Sequence, residues 1–382
     1  MRNVVVIGVG QTLFGKLPDR SAYSLGTEAV WAAIEDAGIR PKEIQVAYGS
    51  RVYDALTTVE DILKNVGVTA IEMYNVENGC ASGMAAANLL WRDIASGAHD
   101  IGIVVGTEQM TNSSIAGKQL SKDEDVDSLL GLGMPGYFAL LAKRFMISTG
   151  LTMEELVYPS VKNHRNGVLN PYAMFKKPCT TQEVLESRMI SDPITLLQCC
   201  PTTDGAAAAI YCSEEYAKRL LTKPKPIYVA ASKLNTGTWE DPTDDFTGFA
   251  APRKLAKSIY EEAGVGPEDL DCVELHDAFS PEELWAYCDL GLTKPENLAQ
   301  FIEERRADIN GTCAVNASGG LMSAGHPVAA SGVRVICEVV HQLRGDAGEH
   351  QVEGAKLGLA QMLGGYISGI QVPVVGMQLL KS

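Results

Sequence analysis

The sequence has no long apolar run, since no segment reaches the roughly 18 uninterrupted apolar residues of a membrane-spanning helix. Its first residues, Met1–Gly8, have the pattern of a β-strand rather than that of a signal peptide. We therefore expect a cytoplasmic protein without a membrane span. Basic residues are also few, with 32 Lys and Arg against 47 Asp and Glu and a formal net charge of −15. Because this charge repels a phosphate backbone, we do not expect nucleic acid as a partner.

Paired cysteine motifs are absent as well. The nine cysteines, an odd number, are scattered without Cys-x-x-Cys spacing, and the adjacent Cys199 and Cys200 cannot easily bridge. The pattern therefore predicts neither a disulfide framework nor a metal site. The remaining composition, 46% hydrophobic and 21% charged over 382 residues, is typical of a globular protein with two or three domains.

Short apolar segments alternate with amphipathic segments, which favours layers of α and β structure. The predicted strands are Val4–Ile7, Ile101–Val105, Ala206–Tyr211, Pro226–Ala231, Cys272–Leu275, Lys356–Gln361 and Ile367–Val372. Residues from about 107 to 200 are rich in Met, polar and turn residues. We interpret them as an inserted loop subdomain that contacts substrate or packs in an oligomer.

Two parts of the sequence resemble each other. An amphipathic helix that stops at Gly38, followed by Pro, Glu and an apolar strand, is repeated around Gly264, 226 residues later. The segment Asn78–Gly83 has a counterpart in Asn316–Gly320 at an offset of 238. Two matches in the same order indicate a duplicated unit. The predicted halves are residues 1–222 and residues 223–382.

Cys80 lies between a β-like segment and a run of small apolar residues that predicts a buried helix. A strand, a sharp turn and a helix place the sulfur at a helix N-terminus, where free N–H groups and the helix dipole favour the thiolate. Cys80 is therefore a candidate nucleophile. The alternative is a buried free cysteine that only packs.

Two histidines in the second half could complement Cys80. His276 and Asp277 follow a predicted strand, at the end of the sheet where ligands collect in open α/β folds, although a surface histidine gives the same pattern. His326 precedes Pro327, which suits the first turn of a helix. The helix dipole would disfavour an imidazolium there, so His326 is a candidate base.

A strand predicted near Leu359 ends in Gly364 and Gly365. These glycines let backbone N–H groups approach a ligand closely, as in an oxyanion hole, or they form a simple turn. Equivalent turns in two pseudo-symmetric halves would face each other across one crevice.

Together, four motifs resemble those of the thiolase family, and the resemblance covers nearly the whole chain. The motifs are Asn78-Gly-Cys-Ala-Ser-Gly83, His276-Asp-Ala-Phe279, Gly325-His-Pro327 and Gly364-Gly365. The histidine of His-Asp-Ala-Phe makes the chain most similar to the branch of sterol-carrier-protein and archaeal thiolases. The resemblance implies an α/β thiolase fold: two βαβαβαββ-type halves in five α-β-α-β-α layers, an inserted loop subdomain, and a homodimer or dimer of dimers.

The resemblance also implies roles for the candidate residues. Cys80 attacks the 3-oxo carbon of a 3-oxoacyl-CoA, and His326 takes its proton. His276, with His326 and a water, holds the oxygen of the leaving enolate, while the N–H groups of Cys80 and Gly364 form the oxyanion hole of the acyl-enzyme step. Acyl-CoA and coenzyme A are substrates, and no permanent cofactor or metal is implied.

The chain departs from the thiolase pattern at the second cysteine, which usually protonates the leaving enolate. Its two usual positions hold Met362 and Ala278 here, so the acid would be His276, an ordered water or a residue such as Cys313, and we favour His276 acting through water. We place Ala278, Met362 and Gly365 at the substrate, where the small Ala278 leaves room for a branched or aromatic acyl chain such as that of 2-benzoylsuccinyl-CoA. Relatives in this branch often bind a small protein with a zinc ribbon and an OB fold, which makes such a protein an expected partner.

Other functions fit parts of the sequence. A thiolase-like retro-aldolase cleaves a side chain of an acyl-CoA and needs no thiolate, and a thiolase can also work in the condensing direction to form acetoacetyl-CoA. A non-catalytic acyl-CoA-binding scaffold needs neither Cys80 nor His326. The presence of both Cys80 and His326 favours the 3-oxoacyl-CoA thiolase.

Overall fold

The computed structural model describes residues 1–112, 126–220, 225–239, 246–365 and 372–382. The strands are β1 Val4–Gln11, β2 Val46–Ser50, β3 Glu72–Val76, β4 Ile101–Gln109, β5 Met189–Ser191, β6 Ile194–Thr195, β7 Asp204–Ser213, β8 Ile227–Thr236, β9 Cys272–Glu274, β10 Ala314–Val315, β11 Leu357–Gly364 and β12 Val374–Lys381. The helices are α1 Ala22–Ala37, α2 Thr58–Val66, α3 Ser82–Ser96, α4 Val126–Leu129, α5 Met134–Thr149, α6 Met153–Leu156, α7 Tyr158–Leu169, α8 Thr181–Glu186, α9 Glu214–Ala217, α10 Ala250–Ala263, α11 Ser280–Asp289, α12 Leu298–Glu303, α13 Gly320–Ala324 and α14 Val328–Arg344. No helix of these described ranges is long and apolar enough to span a bilayer.

The strands form two five-stranded units with the same topology. From the centre outward, the first unit has the order β1-β7-β4-β2-β3 and the second has the order β8-β12-β11-β9-β10. In both units the first two pairings are antiparallel and the next two are parallel. A short antiparallel pairing of β1 with β8 joins the units into one ten-stranded sheet. The duplicated α/β fold predicted from the sequence is confirmed, while the residue at which the halves divide stays a prediction.

The two units pack on opposite sides of a pair of buried helices. Helix α3 contacts β2 and β4 of the first unit and β8 and β12 of the second, and α14 likewise contacts strands of both units. Helices α1 and α2 cover the outer face of the first unit, and α10 covers the outer face of the second. The layers therefore follow the order α-β-α-β-α.

Helices α3 and α14 touch through their backbones. A Cβ atom added to Gly83 would lie 2.7 Å from the backbone N of Val333, and one added to Gly332 would lie 2.6 Å from the backbone N of Met84. Real Cβ atoms do not come so close to backbone atoms, so both positions need glycine. This contact brings the N-terminal turns of the two helices, and with them Cys80 and His326, to one place.

The sequence repeat has matching backbone conformations. Gly38 and Gly264 end α1 and α10 with left-handed φ values of 63° and 69°. Each glycine is followed by a short 3-10 helix that starts with proline, at Pro41–Glu43 and at Pro267–Asp269. Glycine is needed at both caps because L-residues with a Cβ atom are strained at positive φ.

Two of the sequence predictions concern the last strand and the insertion. The predicted last strand, Ile367–Val372, lies almost wholly outside the described residues, and the last strand described is β12 at Val374–Lys381. Within the insertion, α4 to α8 and the β5–β6 hairpin account for much of residues 126–200, and the bounds of the inserted subdomain stay a prediction.

A buried ion pair ties the insertion to the second half. Lys162 of α7 lies 3.0 Å from Glu283 of α11, and both side chains are fully buried. Asn163 donates hydrogen bonds to Glu283 and to Asp277, at 2.7 and 2.8 Å. Because a buried charge needs a partner, these contacts hold α7 firmly against the segment that carries His276.

Candidate active site

The turn that carries Cys80 is closed by local hydrogen bonds. Gly79 has a left-handed φ of 55°. The Ser82 hydroxyl donates to the Gly79 carbonyl at 2.6 Å and accepts from the Asn78 N–H at 2.8 Å. Helix α3 starts at Ser82, so Cys80 lies two residues before the helix, in the sharp turn predicted from the sequence.

The two predicted histidines meet at this cysteine. The sulfur of Cys80 and one ring nitrogen of each of His276 and His326 all lie within 4.8 Å of one another. The two imidazole rings are 5.4 Å apart between centroids and nearly perpendicular, at 81°. The fold thus joins residues from three distant parts of the sequence into one triad.

Each histidine is oriented through its Nδ1 atom. Nδ1 of His276 lies 2.7 Å from Oε1 of Glu282, and Nδ1 of His326 lies 2.8 Å from Oγ of Ser331. The Ser331 hydroxyl itself donates a hydrogen bond to the carbonyl of Pro327, 2.9 Å away. Since it can then only accept from His326, a neutral His326 carries its proton on Nδ1 and has a lone pair on Nε2, the form required of a base.

The charges of the triad favour an ionised sulfur. Burial raises the pKa of the Cys80 thiol, but His326 and His276 outweigh this cost and lower the pKa to about 6. For His276, burial lowers the pKa, but the carboxylate of Glu282 and the neighbouring sulfur raise it to about 10. A thiolate beside an imidazolium is therefore the favoured state at neutral pH. From the sequence, the end of helix α3 was expected to lower the pKa of Cys80, whereas in the structure His276 and His326 lower it.

This charge state predicts selective alkylation of Cys80 by iodoacetamide. At pH 7 roughly nine-tenths of Cys80 is thiolate, whereas burial raises the pKa of Cys179 to about 11 and leaves it roughly one part in 10⁴ ionised. Because low-pKa thiolates are intrinsically weaker nucleophiles, we expect a net rate advantage of about 10²-fold. The Cys80 rate should rise with pH through about 6 and level off above about 7.

Peptide mapping by mass spectrometry after timed alkylation at several pH values measures these rates. The half-buried Cys179 is the internal control within the same sample. Equal labelling of both cysteines at pH 7, or a Cys80 rate still rising at pH 9, would contradict the placement of the thiolate.

A cavity of about 550 Å³ opens onto the triad. Cys80, His276 and His326 line it, together with the predicted substrate residues Ala278 and Gly365. Aromatic and aliphatic side chains form much of the wall; among them are Met134, Phe138, Phe249, Phe279 and Leu363. The cavity is therefore mainly apolar, with its polar groups gathered at the sulfur.

Met362 and Gly364 lie outside the lining of this cavity. Alternation along β11 turns Leu363 toward the cavity and Met362 toward the opposite face, where it is fully buried in the core against which Cys80 packs. Gly364 abuts the Cys80 turn, since a Cβ atom there would lie 2.2 Å from the carbonyl oxygen of Asn78. The close backbone approach fits the predicted oxyanion hole, and the role of Gly364 in it stays a prediction.

Cys313, one of the predicted acids, is not at the site. It is buried at the start of β10 and is absent from the cavity wall, and burial raises its pKa to about 12. Two other cysteines, Cys199 and Cys200, do line the cavity, and the sequence analysis gave them no role. Glu282 was missed too, although its position six residues after His276 was visible in the sequence.

In the described part of the chain, one group of three or more His, Cys, Asp or Glu side chains is spaced to hold a metal ion, and it consists of Cys80, His276 and His326. Thiolate and imidazole ligands suit zinc and other soft or borderline cations. A metal there would occupy the sulfur needed for nucleophilic attack, and the absence of a metal remains a prediction.

Comparison with known proteins identifies the family. The N-terminal domain of thiolases matches residues 4–215, and the thiolase C-terminal domain-like family matches residues 236–377. The chain belongs to the thiolase family. It is thus a member of a family of acyltransferases that use acyl-CoA, and its fold is the thiolase fold.

The relatives of this thiolase include the branch expected from the sequence. The benzoylsuccinyl-CoA thiolase subunit BbsB of Thauera aromatica is 38% identical over 92% of each chain. An acetyl-CoA acetyltransferase of Methanothermobacter thermautotrophicus is 38% identical over 96% of this chain and 97% of its own length. Sterol carrier protein 2 of Bos taurus is 35% identical over 95% of this chain and 70% of its own length.

Among solved structures, an Ltp2-ChsH2(DUF35) aldolase superimposes on this thiolase with a TM-score of 0.86. The match covers 100% of this chain and 98% of that chain at 23% sequence identity. At this identity the likeness shows a shared fold, and the chemistry has to be argued from the site.

Proposed function

We propose that this thiolase is a 3-oxoacyl-CoA thiolase that cleaves a carbon–carbon bond through an acyl intermediate on Cys80. The observation that supports this most is the triad, in which a low-pKa sulfur and two histidine nitrogens lie within 4.8 Å of one another at the end of an apolar cavity. A non-catalytic scaffold does not need a thiolate held between two histidines.

The proposed reaction uses each group of the triad. The Cys80 thiolate attacks the 3-oxo carbon, with His326 as the base that takes the thiol proton in molecules where the sulfur is still protonated. His276, kept charged by Glu282, and His326 hold the thioester oxygen as the enolate leaves. The N–H groups of Cys80 and Gly364 stabilise the oxyanion while coenzyme A takes the acyl group from Cys80. Coenzyme A is a substrate, and no permanent cofactor takes part.

The cavity wall favours a bulky or aromatic acyl group. Phe138 and Phe279 are stacked with their ring centroids 4.6 Å apart, and Phe249 belongs to the same wall. Aromatic faces of this kind offer a large apolar contact to a flat substrate group, and the small Ala278 leaves space beside His276. We propose a substrate of the 2-benzoylsuccinyl-CoA type, the compound after which the BbsB relative is named.

A retro-aldolase acting on a side-chain acyl-CoA is the second candidate, because the Ltp2-ChsH2(DUF35) aldolase shares the fold. Retro-aldol cleavage releases an aldehyde or ketone and needs no acyl-enzyme. The retained thiolate of Cys80 therefore favours the thiolase over the aldolase. The acetoacetyl-CoA-forming direction uses the same groups in reverse.

Intact-mass measurement after mixing the protein with a 3-oxoacyl-CoA tests the proposal. Acetoacetyl-CoA and 2-benzoylsuccinyl-CoA serve as the small and the bulky probe. We expect an acyl adduct on Cys80 that disappears when coenzyme A is added, with ping-pong kinetics. Aldehyde or ketone release without an adduct would instead identify the aldolase, and neither adduct nor product with either probe would contradict both enzymes.

We also propose a cytoplasmic homodimer or dimer of dimers that binds a small zinc-ribbon and OB-fold protein. The support is that the BbsB relative is named a subunit and that the superimposed aldolase is a complex of Ltp2 with a DUF35 protein. Light scattering of the purified chain measures the oligomer, and intact-mass analysis of the proteins that co-purify with it from its source detects the partner.

A further inference from the structure

The site lacks the second cysteine of the thiolase pattern, because position 278 is alanine. An acid is nevertheless required, since the proposed cleavage leaves an enolate whose carbon must gain a proton. His276 is poorly placed for this task, because its Nδ1 is bonded to Glu282 and its other side faces Cys80. It is used in holding the enolate oxygen rather than in reaching the enolate carbon.

Cys200 lies directly across from Ala278. The backbone N–H of Cys200 donates to the carbonyl of Ala278 at 2.8 Å, and Cys199 forms an antiparallel bridge with Phe279. In such a pairing the opposed residues 200 and 278 share one face, with their Cβ atoms about 4.5–5.5 Å apart. A thiol on residue 200 therefore reaches much of the space that a thiol on residue 278 would use.

The neighbouring thiol of Cys199 does not compete for this position. Cys199 has an extended backbone and donates to the carbonyl of Thr195 at 3.5 Å, and successive residues of an extended segment point to opposite sides. Cys200 lines the cavity with both histidines and interacts electrostatically with Cys80 and Glu282. Of the two further cysteines that line the cavity, Cys200 is therefore the one on the same face as Ala278.

Building on the proposed thiolase function, we propose that Cys200 is the catalytic acid that protonates the leaving enolate. The S–H bond of Cys200 breaks as a C–H bond forms at the α-carbon, so the enolate leaves as an acyl-CoA and Cys200 is left as a thiolate. Solvent returns a proton to Cys200 and accepts the thiol proton of the incoming coenzyme A. The resulting coenzyme A thiolate attacks the acyl group and frees the Cys80 thiolate, which balances protons and electrons over one turnover.

The protonation state of Cys200 agrees with this role. Burial is the main cause that raises the pKa of the Cys200 thiol well above its ordinary value, and the nearby acidic groups, among them Cys80 and Glu282, raise it further. Cys200 is therefore a thiol while Cys80 is a thiolate, and a division of labour between nucleophile and acid follows from their surroundings.

Measuring two rates distinguishes the role of Cys200 as the acid from that of Cys80 as the nucleophile. Cleavage of the 3-oxoacyl-CoA that forms the Cys80 adduct needs the acid, whereas exchange of labelled coenzyme A into the product acyl-CoA needs only Cys80. We expect Cys200→Ala to lower the cleavage rate by about 10²–10⁴-fold and to change the exchange rate by less than about threefold. Cys179→Ala, at a half-buried cysteine outside the cavity, should leave both rates unchanged.

A second variant keeps the test decisive. Adding Ala278→Cys to Cys200→Ala restores a thiol on the opposed residue and should recover at least about tenfold of the lost cleavage rate. Wild-type cleavage by Cys200→Ala, or equal loss of cleavage and exchange without recovery in the double variant, would overturn the proposal. If the wild-type protein itself forms no acyl adduct, the thiolase proposal fails and this inference falls with it, a result visible before any variant is made.

Discussion

Replacing Cys80 with serine is expected to lower kcat for cleavage by about 10⁴–10⁶-fold. The hydroxyl of serine stays protonated under conditions in which Cys80, with a pKa of about 6, is a thiolate, so the variant loses its nucleophile while keeping its shape. Steady-state kinetics and intact-mass analysis measure the loss of turnover and of the acyl adduct.

The matched control is Cys179→Ser, which changes a half-buried cysteine outside the cavity and should keep wild-type turnover. Turnover of Cys80→Ser within about tenfold of wild type would remove covalent catalysis from the mechanism. It would then favour the aldolase, which needs no acyl-enzyme.

Replacing His326 with alanine is expected to lower the rate of Cys80 acylation by about 10²–10⁴-fold, with a much smaller change in KM for coenzyme A. The electrostatic interaction with His326 is also the largest influence that lowers the pKa of Cys80. Without it the Cys80 pKa should rise, and the plateau of the alkylation rate should move to higher pH. Rapid-mixing kinetics and the alkylation profile give independent readouts.

His341→Ala is the control for this variant, because His341 lies near the end of α14 and pairs with Asp346 away from the cavity. An unchanged acylation rate in His326→Ala would exclude it as the base. A slower acylation with an unmoved alkylation profile would show that His326 acts on the substrate and not on the sulfur.

The local features of the site could be predicted from the sequence, because short-range patterns fix them. The turn before α3, the glycine caps and the strand that leads to His276 all depend on residues within a few positions of one another. The resemblance to thiolases then predicted that Cys80, His276 and His326 meet at one site. In the structure the Cys80 sulfur and one ring nitrogen of each histidine lie within 4.8 Å of one another.

The groups that act on the site through tertiary contacts, such as Ser331 and Cys200, could not be predicted in this way. Ser331 fixes the tautomer of His326 because its hydroxyl donates a hydrogen bond to the carbonyl of Pro327. Cys200 lies opposite Ala278 because its backbone pairs with that residue, which is far away in the chain. Conversely, Cys313 had a suitable chemical group but the fold buries it elsewhere. Such assignments depend on tertiary pairing, on which the residue pattern alone gives no information.

The backbone contact of Gly83 with α14 has a further consequence for the proposed activity. In the proposed mechanism the nucleophile, Cys80, comes from one copy of the duplicated unit and the base, His326, comes from the other. Neither copy alone would then turn over substrate, so the activity depends on the two copies being packed together.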